Sequence, residues 1–238
     1  MVMAWSKLPS AWANIPVSEA GEEEQLDGGA GLRGITWRTH KSTGAAALLV
    51  LLALSILLNQ GRRGGGHAPN SNQILASYTE LEEMTGLSRL LISRSLRLLE
   101  ELQAINTVRI GNACAYELLG VERNGGWCAA PQGHLLDGAN YLRRLKGIRE
   151  TLRRPASLYA MKLYILLLAF RDRRQNITRI SYEKIGAYTG MRREDISVAW
   201  QIIAALQLGY LADDTEIPLR SGERSHNRYR VRGLAAQA

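Results

Sequence analysis

An internal repeat constrains the fold of this chain more than any other feature of its sequence. Residues 78–106 and 182–210 align without a gap, and eight of the 29 aligned positions are identical. The identical residues include a Thr-Gly pair, an Ile-Ser pair and a Leu-Gln pair. The match extends upstream into two apolar segments, which begin at Thr43 and at Ser157. The sequence therefore predicts two copies of one folding unit.

The two copies show the same order of predicted helices. Short helices are predicted at Tyr78–Met84 and Tyr182–Tyr188, because a glycine follows each of them closely. Longer amphipathic helices are predicted at Ser88–Leu102 and Arg192–Leu206, where apolar residues recur at helical spacing. We expect these apolar residues in the core: Ile92, Leu96 and Leu99 in the first copy, and Ile196, Trp200 and Ile203 in the second.

A hairpin is predicted after each of the long helices. After the first, alternating residues surround the Gly111-Asn112 step, which is typical of a tight turn. After the second, strands that begin near Gly209 and Tyr229 enclose a longer loop. The expected fold class is therefore mainly α with small β-hairpins, an α+β protein.

The apolar segments that open the copies are predicted to be buried core helices. Thr43 and Ser157 are suited to cap their first turns. The segment Gly44–Leu58 has fifteen residues, which is short of the roughly 20 that a bilayer requires. Its counterpart in the second copy carries Lys162 in mid-helix, a pattern that a membrane span does not tolerate. We therefore expect no membrane association.

Two segments lie outside the repeat. Residues 1–40 are predicted to form a partly flexible N-terminal arm, and its Trp5 and Trp12 could dock on the body of the protein or on a protein partner. Residues 137–156 are predicted to form a basic linker, with a helix at Asp137–Arg154 that Pro155 ends. The apolar stripe of this helix, which we expect to pack on the second copy, consists of Leu142, Leu145, Ile148 and Leu152. The basic residues that flank the stripe could also contact phosphates.

The repeat carries a family resemblance. The stretch TGLSRLLISRSLRLLEEL, from Thr85 to Leu102, resembles the recognition-helix region of bacterial winged helix-turn-helix DNA-binding proteins. Two such units in tandem are similar to plasmid and phage replication initiator proteins, and more loosely to MarR-like regulators. The resemblance implies winged helix-turn-helix domains at 41–136 and 157–238 that bind double-stranded DNA by sequence.

The polar faces of the long helices supply the candidate DNA-binding residues, because a recognition helix fits the major groove and Arg or Gln can pair with base edges there. On the first helix the candidates are Ser88, Arg89, Ser93, Arg94 and Arg97, and on the second they are Arg192, Arg193, Ser197 and Gln201. The second hairpin adds Arg228, Arg230 and Arg232 as candidate minor-groove or phosphate contacts. Against the second helix, Glu194 and Asp195 in its first turn would repel phosphate.

Leu90 and Leu91 depart from the resemblance, since these early recognition-helix positions are usually polar. They could contact thymine methyl groups, pack against the glycine-rich insert, or form a protein interface. The sequence leaves these three alternatives open.

The distribution of charge supports an anionic partner. The net charge of the chain is +8. Counted by segment it is −2 over residues 1–40, +1 over 41–136 and +9 over 137–238. We therefore expect the C-terminal half to supply most phosphate contacts, and an isolated 137–238 fragment to bind DNA with little sequence preference.

No enzyme, metal or cofactor is predicted from the sequence. Cys114, Cys128 and His134 are spaced too irregularly for a zinc motif, and no phosphate-binding loop or nucleophile constellation is present. We expect a cytoplasmic, nucleoid-associated protein that initiates replication of a plasmid or related mobile element, as a homodimer or an assembly on repeated sites. The alternatives are a transcriptional regulator and, from another class, a tandem winged-helix protein-interaction scaffold.

Overall fold

The computed structural model describes residues 5–13, 31–60, 72–110, 113–121, 126–212 and 227–235, and the structural statements below concern these residues. They form an α+β structure that is 55% helical, with small antiparallel sheets. The expected fold class is confirmed at this level.

The first half of the chain contains two short N-terminal elements followed by a helical unit with a small sheet. In chain order its elements are β1 (Ser6–Pro9), a 3-10 turn (Ala11–Ala13), α1 (Gly31–Gly34), α2 (Trp37–Asn59), β2 (Gln73–Leu75), α3 (Tyr78–Thr85), α4 (Arg89–Glu101), β3 (Ile105–Ile110) and β4 (Ala113–Leu118).

The second half repeats this order from its apolar helix onward. It consists of β5 (Trp127–Ala130), α5 (Gln132–Leu135), a 3-10 turn (Arg143–Leu145), α6 (Lys146–Glu150), α7 (Pro155–Ala169), β6 (Thr178–Arg179), α8 (Tyr182–Thr189), α9 (Arg193–Ala205), β7 (Gly209–Leu211) and β8 (Arg228–Val231). The three-stranded sheets have the matching orders β2-β4-β3 and β6-β8-β7.

Local chemistry explains why the short helices recur. Ser77 and Ser181 cap the N-termini of α3 and α8, and each hydroxyl accepts a hydrogen bond from a backbone N–H in the first turn. Gly86 and Gly190 end these helices with φ of 68° and 69°, a conformation that favours glycine. The predicted short helices, long helices and the paired strands of both hairpins are confirmed, while the Gly111-Asn112 turn lies outside the described residues.

The predicted caps of the apolar helices are wrong. Helix α2 is interrupted at Lys41, whose φ is 48° and ψ is −133°, and the piece before this break is capped by Thr36. Thr43 therefore lies inside the helix. Helix α7 begins at Pro155, because proline suits the first helical position. Ser157 lies within the first turn and donates to the carbonyl of Thr151 at 2.6 Å instead.

Helices α2 and α7 form the centre of the core. They pack on each other, while α4 packs on α2 and α9 packs on α7. Every residue of Gly44–Leu58 is buried, as predicted. Within the described residues, Trp37–Asn59 is the one helix long and apolar enough to cross a membrane, and 83% of its most apolar 18-residue window is buried inside the protein.

The predicted linker helix at Asp137–Arg154 is wrong in extent. The Asp137 carboxylate accepts from the backbone N–H groups of Ala139 and Tyr141, and Asn140 has a φ of 61°, so the first part of the segment is a turn. Between Asp137 and Arg154, only the 3-10 turn and α6 are helical. The four stripe residues are buried as expected. The segment also contacts the first half, because the N–H of Leu142 donates to the carbonyl of Met84 at 2.9 Å.

Part of the N-terminal arm docks on the body of the protein. Strand β1 pairs antiparallel with β5, with Leu8 opposite Cys128. The ring of Trp5 stacks on Trp127, with centroids 5.4 Å apart and planes 3° from parallel. Trp12 is buried and donates to the carbonyl of Pro9 at 3.1 Å. Residues 1–4 and 14–30 of the predicted arm lie outside the described residues.

Candidate nucleic-acid interface

Helix α4 presents a polar face that is separated from its apolar face. Ile92 and Leu99 are fully buried, which places the opposite side of the helix at the surface. On that side Ser88, Arg89, Arg94 and Arg97 are exposed, and Ser93 is half-buried. The Ser88 hydroxyl makes no capping hydrogen bond to the helix.

Arg89 is engaged with the neighbouring helix α3. Its Nε donates to the carboxylate of Glu82 at 2.8 Å, and its Nη2 donates to the hydroxyl of Thr79 at 3.0 Å. The Arg89 side chain is nevertheless 65% exposed, so solvent screens the ion pair. These contacts hold the Arg89 side chain toward α3.

The two leucines at the start of α4 have different environments. Leu90 is 63% exposed, whereas Leu91 packs partly against the core. Both leucines line a surface cavity of about 350 Å³. The rest of its lining comes from α2 (Ser42), from α4 and its cap (Ser88 and Arg94), and from the segment between α6 and α7 and the end of α6 (Arg149, Glu150, Leu152 and Arg153). The glycine-rich insert at residues 61–71, one of the three predicted neighbours, lies outside the described residues.

Helix α9 presents the equivalent face in the second half. Arg192, Arg193 and Gln201 are exposed and Ser197 is half-buried. The Arg193 guanidinium lies 5.5 Å from the ring of Tyr182. The acidic residues in the first turn differ in their contacts, since Asp195 accepts from the backbone N–H of Arg192 and Glu194 is exposed.

The second hairpin offers less exposed charge than predicted. Arg228, on the middle strand of its sheet, is only 4% exposed. Arg230 is half-buried and donates to the hydroxyl of Tyr210 at 3.4 Å. Arg232 is exposed, 5.2 Å from the Tyr210 ring. We therefore leave Arg228 out of the candidate interface. Residues 213–226 lie outside the described part of the chain.

Two arginines that sequence reasoning missed lie against the turns that precede α4 and α9. A Cβ built on Gly86 would lie 2.3 Å from Nη1 of Arg149, and one built on Gly190 would lie 3.5 Å from Cγ of Arg33. Each arginine comes from the segment that leads into the apolar helix of the other half. No local signal marks this exchange, because it depends on long-range packing.

Lys162 is buried beneath the turn between α8 and α9. Its side chain is 3% exposed, and its Nζ donates to the carbonyls of Ile35, at 2.8 Å, and Thr189. Burial lowers the pKa of this ammonium to about 7. Because a neutral amine can still donate both hydrogen bonds, the site holds Lys162 in either charge state.

The described residues contain no group of three or more His, Cys, Asp or Glu side chains placed to hold a metal ion. Cys128 is buried, and burial raises the pKa of its thiol to about 12, which disfavours the reactive thiolate. Cys114 is half-buried on β4. The polar surface of α4 and α9 is therefore the strongest candidate site in the described structure.

Comparisons with protein-family models, with curated proteins and with solved structures find no match to this chain.

Proposed function

We propose that this chain is a sequence-specific double-stranded DNA-binding protein built from two winged helix-turn-helix units. In this assignment α3–α4 and α8–α9 are the helix-turn-helix pairs, and the β3–β4 and β7–β8 hairpins are the wings. Helices α4 and α9 are the recognition helices, which we call the reading helices below.

One observation carries the proposal: the same polar line is exposed at equivalent positions on both reading helices. Arg89 aligns with Arg193, and Arg97 aligns with Gln201, and all four side chains are exposed. A solvated helix face needs no such agreement between two copies. Arginine pairs with guanine edges and glutamine pairs with adenine edges in the major groove.

Charge is consistent with a duplex partner. The net charge of +8 favours a polyanion, and neutralised phosphates would release counterions and stabilise the complex. The exposed carboxylate of Glu194 opposes binding at one end of α9. We therefore assign phosphate contacts to the arginines around it and not to that first turn as a whole.

The biological role is proposed on the resemblance alone. Tandem winged units of this kind point to initiation of replication at repeated origin sites of a plasmid or related element. Chromatin immunoprecipitation of the full chain separates this role from transcriptional regulation. Peaks confined to one origin-like array support initiation, and peaks at scattered promoters contradict it.

The biochemical test is selection of bound duplexes from a randomised library by the full-length chain. Enrichment of a defined sequence, with binding to it at least 10³-fold tighter than to a scrambled duplex, is the expected result. Equal binding to all duplexes, or none, would overturn the proposal. A scaffold that works through protein contacts alone gives the second outcome.

A further inference from the structure

Equivalent elements of the two halves contact each other. Helices α2 and α7 pack together, and a Cβ built on Gly44 would lie 3.1 Å from Cδ1 of Leu158, the residue with which Gly44 aligns. Strands β1 and β5 occupy the same place in each half and pair with each other. Trp5 stacks on Trp127, and each tryptophan stands four residues before a proline.

Contacts between non-equivalent elements are reciprocal. Helix α1, from the first half, packs on α8 of the second, where Arg33 covers Gly190. The segment around α6, from the second half, covers Gly86 of the first through Arg149. Reciprocal contacts of this kind define an isologous, two-fold arrangement, whereas a head-to-tail arrangement would make each contact once. The chain is thus organised as an approximate two-fold dimer within one polypeptide.

The direction of the approximate two-fold axis follows from the ends of α2 and α7. Near their N-terminal ends Gly44 meets Leu158. At the other end, Asn59 donates to the carbonyl of Trp5 and Arg173 donates to that of Trp127, each at 2.9 Å. The axis therefore runs from the β1–β5 pair to the N-terminal ends of the two apolar helices.

Both reading helices begin at this N-terminal end of the axis. Ser42, in the first turn after the break in α2, lines the same cavity as the start of α4. Arg33, in the segment that leads into α2, lies against Gly190 in the turn before α9, where a Cβ built on the glycine would lie 3.5 Å from its Cγ. One face of the molecule therefore carries the start of both reading helices, opposite the β1–β5 pair.

From this arrangement we infer that one chain binds a duplex site made of two half-sites in inverted orientation at a fixed spacing, an inference that rests on the proposed function. The backbone of B-DNA has two-fold axes perpendicular to its length, so helices related by a two-fold axis meet equivalent surfaces only on inverted half-sites. The half-sites differ in sequence, because Gln201 replaces Arg97 and Val198 replaces Arg94 at aligned positions. The expected site is an imperfect inverted repeat.

The segments next to the axis hold the DNA between the half-sites. Arg38 and Lys41 are exposed just before Gly44, and Arg153 and Arg154 are exposed just before Leu158. Arg153 lines the same cavity as the start of α4, and all four cations belong to the segments that lead into the contact between Gly44 and Leu158 on the axis. They are assigned as phosphate contacts that carry no sequence preference.

The test uses the full-length chain and the duplex selected by it. Four duplexes are compared: the selected site, the site with one half-site reversed, and sites with about 5 or about 10 base pairs added between the half-sites, about half and one helical turn. Reversal and both insertions are expected to weaken binding at least ~10-fold, since one chain presents its two reading helices at a single spacing and each change removes the base contacts of one half-site. Titration and mass measurement are expected to give one chain per site.

Each other outcome is decisive. Three results would overturn the inference: equal affinity for the reversed site, a selected site with direct half-sites, or two chains bound to one inverted site. In each of these cases the chain still binds duplex DNA, so the proposed function stands. Failure to bind any duplex would overturn both.

A charge variant tests the central contacts. Arg38→Ala combined with Arg153→Ala is expected to reduce the slope of log affinity against log salt by about two, equally on selected and scrambled duplexes. Arg174→Ala is the matched control, because Arg174 is exposed beside the β1–β5 pair at the opposite end of the axis. An unchanged slope in the double variant, or an equal change per residue in the control, would contradict this assignment.

Discussion

At the scale of single residues, the exposed arginines of α4 are not equivalent. Arg89 is held by Glu82 and Thr79 of α3, whereas Arg94 and Arg97 are exposed further along the helix. The ion pair between Arg89 and Glu82 is largely solvated, so releasing it costs about 0.2–1 kcal/mol. A ligand that offers Arg89 a better acceptor can therefore recruit it.

The first prediction concerns Arg89 and its partner. Arg89→Ala and Arg94→Ala should each weaken binding to the selected duplex by about 1–3 kcal/mol if the side chain contacts a base. Glu82→Ala should strengthen it by up to a few-fold, because Arg89 no longer has to leave a carboxylate. Fluorescence anisotropy on labelled duplexes measures all three. If both arginine variants bind like the parent, α4 is not a reading helix.

The second prediction concerns Lys162 and the pH dependence of stability. The ordinary pKa is 10.5 and burial lowers it to about 7, so between these values the unfolded chain holds a proton that the folded chain releases. The free energy of unfolding should therefore rise with pH above about 7, by on the order of 1–2 kcal/mol up to pH 9. Urea denaturation at several pH values in this window measures the rise.

Lys162→Met is the matched variant for this prediction. It removes the titrating group, and the pH-dependent rise should disappear whatever its effect on mean stability. The measurements stop at pH 9 because above that pH the thiol of Cys128 ionises in the unfolded chain but stays protonated in the folded chain, which lowers the free energy of unfolding as pH rises. Identical pH profiles of parent and variant would show that Lys162 does not titrate there.

At the scale of elements, the turns before the reading helices are fixed by glycines. Gly86 and Gly190 have positive φ and the C-cap N–H of each donates back into the preceding helix. Thr85 and Thr189 strengthen both turns, because each hydroxyl accepts from the backbone N–H of the residue after the glycine. These turns set the angle at which α4 and α9 leave α3 and α8.

The third prediction follows from this geometry. Gly86→Ala and Gly190→Ala should each lower the free energy of unfolding by about 1–2 kcal/mol, because an L-residue at positive φ is strained. Gly138→Ala is the control, since a Cβ there meets nothing within 4 Å and its φ is not in the left-handed region. Thermal or urea unfolding gives the comparison. Equal effects at all three positions would refute the role assigned to the left-handed turns.

At the scale of the whole molecule, the two halves share one core. The segment Gly44–Leu58 of α2 and most of α7 are buried and pack on each other, and within the described residues β1 is paired with β5 of the other half. Cutting between the halves would expose the face that each apolar helix presents to its partner. The expectation that a 137–238 fragment binds DNA on its own does not fit this arrangement.

The fourth prediction replaces it. Residues 1–125 and 126–238 expressed separately should be poorly folded, whereas co-expressed halves should associate and co-purify as one complex. The intact chain should unfold in a single transition, with tryptophan fluorescence and circular dichroism coincident. Two separate transitions, or a folded and monomeric half, would show that the units are independent domains.

The sequence by itself determined the repeated unit. The Thr-Gly steps and the apolar spacing of Ile92, Leu96 and Leu99 act through neighbours in the chain, so short-range physics sufficed to predict the helices and the turns between them. The exposed line on α4 and α9 followed from the same helical spacing. The local predictions that were wrong concern places where another local structure was also available: Pro155 starts α7 in place of a Ser157 cap, and Asp137 forms a turn in place of a helix start.

The tertiary structure alone decided how the two units are joined. The pairing of β1 with β5, the position of Arg33 and Arg149 on the turn of the opposite half, and the burial of Arg228 depend on contacts between residues far apart in sequence. Periodicity reports which side of a helix is apolar and does not report what covers it. Because Gly44–Leu58 of α2 and most of α7 are apolar, many partners would satisfy them equally, and only packing selects the two-fold arrangement that brings both reading helices to one face.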